Sequence, residues 1–213
     1  MTNGGEHLAD LEVLPPEFFA RNALAVARDL LGCLLISRGE EGVVGGVITD
    51  TEAYAGVLDR ACHAHAFHRS ARNQSMYALP GTAYVYLVYG LHNCFNVSCL
   101  AEDRPHAVLV RGLWPRWGLG IMGRRRGISP LTGGAINPSL CDGPGKLCQA
   151  LGVERTHDGI FLPDGNDGLL LLPGVKRGRY EALPRVGIES SGEFASVPWR
   201  FVATRPNARR ARG

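Results

Sequence analysis

The chain has 213 residues, 45% of them apolar and 20% charged, and a formal net charge of +3, which excludes a disordered polar chain and leaves enough sequence to bury one sizeable core. No apolar run approaches the roughly 20 residues that span a bilayer, and the first ten residues lack a signal peptide's basic and apolar regions. The expectation is a monomeric intracellular protein without membrane contact, one domain over residues 1–213, flexible over 1–12 and 204–213.

Pro15 and Pro16 open a helix whose Phe19, Ala23, Val26 and Leu30 mark one buried stripe, and Gly32 ends it. Cys33 to Ser37 reads as a strand, Arg38 to Gly42 as a turn, and β-branched Gly42 to Ile48 as a buried strand, together a hairpin. That strand delivers Asp50 and Glu52. A carboxylate two residues before a tyrosine, where a buried strand emerges, can hold a general base against a flat ligand; a solvated strand end has the same composition.

From Ala55 to Ser75 the apolar pattern fails, and loops this long inside a compact domain are usually functional. Cys62, His63, His65 and His68 invite a zinc reading, but the segment lacks the helix or knuckle that fixes such ligands, and one histidine donating to a ligand is simpler. Thr82 to Tyr89 is a β-prone run in which alternation puts Tyr84 and Tyr86 on one face and Tyr89 on the other, unless the turn at Gly90 re-aims it. Cys94 to Leu100 and Ala107 to Leu113 are further strands, interrupted by polar Asn96 and Arg111, each of which must find a partner if buried.

Leu119 to Arg126 reads as a helix weakened by Gly120 and Gly123, and Leu147 to Leu151 as a short helix whose free N–H groups can receive a phosphate. Short strands follow at Leu169 to Leu172, Leu183 to Ile188 and Trp199 to Val202. The fold class is therefore α+β, a curved, mainly antiparallel sheet surrounded by helices and long loops.

Six scattered cysteines without C-x-x-C spacing read as reduced, packed thiols. The cations are nearly all arginine, with only Lys146 and Lys176 as lysines. Clusters at Arg124, Arg125 and Arg126 and at Arg205, Arg209, Arg210 and Arg212 suit a phosphate backbone, and equally a solvated face and a frayed tail.

Taken together, Thr51-Glu52-Ala53-Tyr54, His63, Arg72-Asn73, Pro80-Gly81-Thr82-Ala83-Tyr84-Val85-Tyr86, Tyr89-Gly90, Asn96-Val97-Ser98, Val108 to Arg111, Gly143 to Leu151 and Arg185-Val186-Gly187-Ile188 resemble the alkyladenine (3-methyladenine) DNA glycosylase family, over nearly everything from Leu14 to Val202. The resemblance implies a monofunctional hydrolase that needs no metal or other cofactor and acts on damaged purines in double-stranded DNA. Glu52 would activate a water held with help from Arg111 and the main-chain carbonyl of Val186. Tyr54 and Tyr86 would sandwich the extruded base, His63 would hydrogen-bond the nucleotide, and Asn96 would crowd guanine's 2-amino group. Tyr89 would wedge into the duplex, and Arg72, Lys146, Arg124 and Arg125 are candidates for backbone contact. Two rivals stay open: an inactive damage-binding module, which has no need of Glu52, and a zinc-dependent hydrolase built on Cys62, His63, His65 and His68.

Overall fold

The computed structural model of the protein describes residues 12–174 and 178–204, so Lys176, Arg205, Arg209, Arg210 and Arg212 lie outside the described residues. Where the apolar spacing suggests one helix there are two, α1 (Pro16–Phe19) and α2 (Ala23–Leu30). Asn22 makes the break: its backbone is extended, and its Oδ1 accepts the Ala25 N–H at 3.0 Å, so the side chain caps α2 instead of continuing α1. The stripe survives the interruption, with Phe19, Ala23, Val26 and Leu30 all fully buried.

β1 (Leu34–Gly39) and β2 (Gly42–Tyr54) form the expected hairpin. A second hairpin joins β3 (Ala83–Val88) to β4 (His92–Ala101), which turns at Glu102 and Asp103 into β5 (Arg104–Trp117). Then come α3 (Leu119–Arg126), the small hairpin of β6 (Leu131–Thr132) and β7 (Ala135–Ile136), and α4 (Pro144–Leu151). The chain closes with β8 (Leu169–Leu172), β9 (Tyr180–Leu183) and β10 (Arg200–Ala203). The main sheet runs β3-β4-β5-β2-β1-β8, antiparallel throughout, with β10 pairing the far half of β2 and β9 pairing β10.

β2 does not end where its polar residues begin. It continues through Asp50 and Glu52 because its second half has partners on both edges, β5 on one and β10 on the other. Gly45 and Gly46 allow three strands to meet there: a Cβ on Gly45 would run into Ile36 and the Leu35 carbonyl, and one on Gly46 into the Trp114 carbonyl. Register slips at Gly45/Gly46 and around Asp50 interrupt the β2–β5 ladder, and such bulges add bend and twist.

Alternation sends Thr51 and Ala53 toward the helices and Glu52 and Tyr54 the other way. The buried Thr51 hydroxyl donates to the Ala27 carbonyl at 2.8 Å, pinning β2 to α2. On the helix side, Leu147, Cys148, Ala150 and Leu151 of α4 join the α2 stripe, Phe95, Val97 and Val110 in one core. All six cysteines are buried and unpaired, as the spacing suggested, and desolvation lifts the Cys33 and Cys62 thiols to about 11.

The strand expected over Leu183 to Ile188 does not form. β9 stops at Leu183, before Pro184, and the following residues bend across the sheet through Gly187, whose φ of 76° suits only glycine well. Arg185, the reason for that bend, is drawn into a buried ion pair described below. Among the described residues no helix is long and apolar enough to cross a membrane.

Removing the cap that splits the first helix should be felt directly. Asn22→Ala is expected to lower the stability of the protein by about 1 kcal/mol, read as a lower urea midpoint at unchanged m-value.

Candidate active site

Glu52 is fully buried, although its sequence setting matches an exposed strand end. Three segments converge on its carboxylate. Oε1 accepts the backbone N–H of Val186 at 2.8 Å and lies 3.3 Å from Nη1 of Arg111 on β5; Oε2 accepts the Tyr54 hydroxyl at 2.9 Å. Burial pushes the Glu52 pKa above the usual carboxylate range; Arg111, the Val186 N–H and the Tyr54 hydroxyl pull it partly back, while Asp50 adds to the rise. Arg111 thus favours the ionised form as its proximity suggests, but burial outweighs it. Arg111 Nε is buried without a hydrogen-bond partner and sits 3.8 Å from Asp50, whose own carboxylate is forked onto Arg200 at 2.7 and 3.0 Å. The Val186 N–H is engaged by the carboxylate, a contact separate from the carbonyl that the resemblance assigns to the water.

The three residues that hold this carboxylate, Tyr54, Arg111 and Val186, also line a cavity of about 720 Å³, whose walls include His63, Tyr84, Tyr86 and Asn96. Tyr84 and Tyr86, two residues apart on β3, stack with ring centroids 5.1 Å apart and planes tilted by 32°. His63 meets Tyr86 edge-on at 4.6 Å and shares a 2.8 Å hydrogen bond between its Nδ1 and the Tyr84 hydroxyl. Desolvation, then Arg72 and His68, lower the His63 pKa to about 4. The residue is reachable by water at the pocket mouth, which moderates the desolvation, but the direction leaves a neutral ring at pH 7. Asn96 is buried at the β4 position opposite Tyr84, its Nδ2 donating to the Tyr84 carbonyl at 3.0 Å.

At the rim, the β3–β4 turn carries Tyr89 with 91% of its surface exposed. Its φ of 52° is left-handed, like that of Gly90, so the turn projects the ring away from the sheet. Tyr89 is thus held outward at the mouth of a tyrosine-walled pocket.

The model of the methylpurine-DNA glycosylase family matches residues 17–207. Among curated relatives, a protein of Methanocella arvoryzae described as "Putative 3-methyladenine DNA glycosylase" is 39% identical over 199 residues, 90% of this chain and 92% of its own. One of Rubrobacter xylanophilus with the same description is 42% identical over 82% of this chain and 85% of its own, and one of Bacillus licheniformis 38% over 89% and 92%. The chain belongs to the methylpurine-DNA glycosylase family.

In this family member the cations suggested for phosphate contact are dispersed. Arg72 lies 5.4 Å from the Tyr86 ring centroid and donates to the Leu87 carbonyl at 3.0 Å, beside the pocket. Lys146 pairs with Asp142 at 2.8 Å, just after Pro144 and Gly145, which line the mouth. Arg124 and Arg125 instead bridge to Glu41 at 3.2 and 2.8 Å. That turn enters β2 at Gly42, ten residues from Glu52, about 33 Å of strand. Cys62, His63, His65 and His68 do not converge: the Cys62 thiol faces the Pro105 carbonyl, His63 faces Tyr84, and His65 Nδ1 lies 3.1 Å from the Val57 carbonyl. Among the described residues no group of three or more histidine, cysteine or acidic side chains could hold a metal ion.

Sequence reasoning missed the pair of Asp59 and Arg185. Asp59 falls in the segment Ala55 to Ser75, where nothing singled it out, and Arg185 in the strand expected over Leu183 to Ile188; both side chains have zero exposure and meet at 2.6 Å. The only signal was an arginine between Pro184 and Val186 in the stretch shared with the family.

The raised Glu52 pKa fixes a sign. Its protonated form is favoured in the folded state, so its contribution to stability is present below the unfolded value of 4.5 and is lost as pH rises through the higher folded value. Glu52→Gln, which cannot ionise, should therefore gain melting temperature relative to the parent as pH is raised from 4 to 8. A gap that stays flat or reverses would mean that Arg111 and the two donors outweigh burial.

Proposed function

We propose that this chain is a monofunctional DNA glycosylase that rotates alkylated or deaminated purines out of duplex DNA and hydrolyses the N-glycosidic bond with water activated by Glu52, leaving an abasic site. The observation that carries the reading is the fully buried Glu52, held by three partners beside a cavity walled by aromatic rings. A binding module gains nothing from a buried carboxylate that costs stability, whereas a general base gains a pKa closer to neutrality.

The rest of the pocket suits that chemistry. At about 720 Å³ it falls within the roughly 300–1,000 Å³ of small-ligand sites. Alkylation at N3 or N7 gives a purine positive charge, which weakens its glycosidic bond and draws it to the electron-rich faces of Tyr54 and Tyr86. Neutral His63 offers a hydrogen bond without repelling such a cation, and Asn96, on the pocket wall, would crowd guanine's 2-amino group. The anionic carboxylate stabilises positive charge developing on the sugar while accepting a proton from water. A strand-nicking route would need a desolvated amine, and Lys146 is half-exposed and paired with Asp142.

Free base should be released from methylated duplex DNA with a chelator present, and Glu52→Gln should slow release by roughly a hundredfold or more while damaged DNA is still bound. Near-normal release by that variant, or dependence on added zinc, would overturn the reading.

Tyr89 separates duplex-specific from base-specific contributions. With its ring outside the pocket, Tyr89→Ala should weaken capture from duplex DNA more than from single strands, whereas Tyr86→Ala should cost both, stacking being worth roughly 1–3 kcal/mol per base in either context. Equal losses for Tyr89→Ala on the two substrates would remove the wedge role.

A further inference from the structure

Arg185 and Asp59 form a fully buried ion pair that makes no contact with the Glu52 carboxylate itself. Both terminal nitrogens of Arg185 are used: Nη1 donates to Asp59 Oδ2 at 2.6 Å and to the Ala53 carbonyl at 2.9 Å, and Nη2 to Asp59 Oδ1 at 2.8 Å. Its guanidinium carbon lies over two rings, 4.7 Å from the centroid of Tyr54 and 5.1 Å from that of Trp199. Asp59 in turn accepts the backbone N–H groups of Ala55 and Ala61, both at 3.0 Å, which ties down the segment leaving β2. Trp199 is locked to the same place by its carbonyl, which accepts the Ala53 N–H at 2.9 Å. One residue beyond Arg185 is Val186, whose N–H holds Glu52.

Well-packed apolar side chains would fill this space without the cost of burying two charges, so burial alone does not explain the pair. What apolar side chains could not do is fix a ring plane and a backbone amide at the same time from opposite sides of one carboxylate. A planar guanidinium can: it presents a flat face to Tyr54, a fork to Asp59 and a spare donor to β2.

We propose that Arg185 is a positioning residue which, clamped on Asp59, holds Tyr54 and Val186 so that the phenol O–H and the amide N–H both stay on the Glu52 carboxylate. The proposal rests on the glycosylase reading only for what that carboxylate does, not for how it is held. Both donors lower the Glu52 pKa, so loosening them raises it further. The other charged or titratable groups facing Glu52 are Arg111 from β5, Asp50 from β2, Arg200 from β10, Tyr86 from β3 and Cys94 from β4. A substitution at Arg185 leaves all of these in the chain.

Arg185→Lys tests this while keeping a cation beside Asp59, because an ammonium cannot reproduce the fork, the Ala53 contact and the flat stacking together. Two readouts are needed: titration of the Glu52 carboxyl in the free protein by infrared difference spectroscopy against Glu52→Gln, and single-turnover base release as a function of pH. The expected result is an upward move of the Glu52 titration and of the acid limb of the rate. The plateau rate should fall roughly ten- to hundredfold, with a smaller change in binding of damaged DNA. Asp59→Asn, which keeps one acceptor and loses the fork, should move both readouts in the same direction, and it carries the test if Arg185→Lys does not fold. An unchanged titration, or a rate that falls only in proportion to the folded fraction, overturns the clamp. If the parent protein releases no base from any alkylated DNA, the glycosylase reading fails, and the infrared titration still decides whether Arg185 holds the carboxylate's donors.

Discussion

A buried carboxylate is the constraint on which this structure turns. Glu52 has no solvent exposure, and an ionised group there is tolerated only if the chain delivers donors to it from elsewhere. Tyr54 comes from the same strand, Arg111 from the neighbouring strand and Val186 from a segment 134 positions away. The topology follows from that requirement. β2 needs partners on both edges at the level of Glu52, and β5 and β10 supply them, while β1 serves only the first part of the strand.

The two halves of the site were not equally legible in the sequence. Alternation along a strand is a local rule, so placing Glu52 with Tyr54 and Tyr84 with Tyr86 needed only the strands themselves. Asn96 and Arg111 stood out as polar interruptions of apolar runs, and both line the pocket. The antiparallel sheet, the positions of α3 and β8 and the reduced cysteines were readable for similarly local reasons. The break at Asn22 was not, because one side-chain cap overrode an apolar spacing that fits a continuous helix just as well. Nor was the path after Leu183: Arg185 and Asp59 are 126 positions apart, and only the folded chain shows that each is the other's counter-ion. Burial of Glu52 itself was hidden for the same reason, since the strands that cover it are remote.

Charge is distributed in a way that net charge conceals. The excess of +3 is small, and several arginines are spent inside the protein or on its own acids, including Arg185 on Asp59, Arg200 on Asp50, and Arg124 and Arg125 on Glu41. What faces the cavity is largely aromatic, with Arg72 and Arg111 as cations in its lining. The Tyr54 and Tyr86 hydroxyls are pushed above their ordinary range by burial, and His63 below its own, so these three side chains stay uncharged at neutral pH and the groups that set the local field are Arg72, Arg111 and Glu52.

That arrangement explains why stability and chemistry pull against each other here. An apolar residue at position 52 alone would remove one desolvation cost but leave Arg111, the Tyr54 hydroxyl and the Val186 N–H without the acceptor they share, so only concerted replacement of the whole polar unit, the pair of Asp59 and Arg185 included, by packed side chains would relieve it. Such a replacement would also remove the acidic group buried behind the Tyr54, Arg111 and Val186 wall of the cavity. The carboxylate and the polar scaffold around it are therefore best understood as a single unit. Its energetic cost is set by burial, and its geometry by two strands and one bent segment.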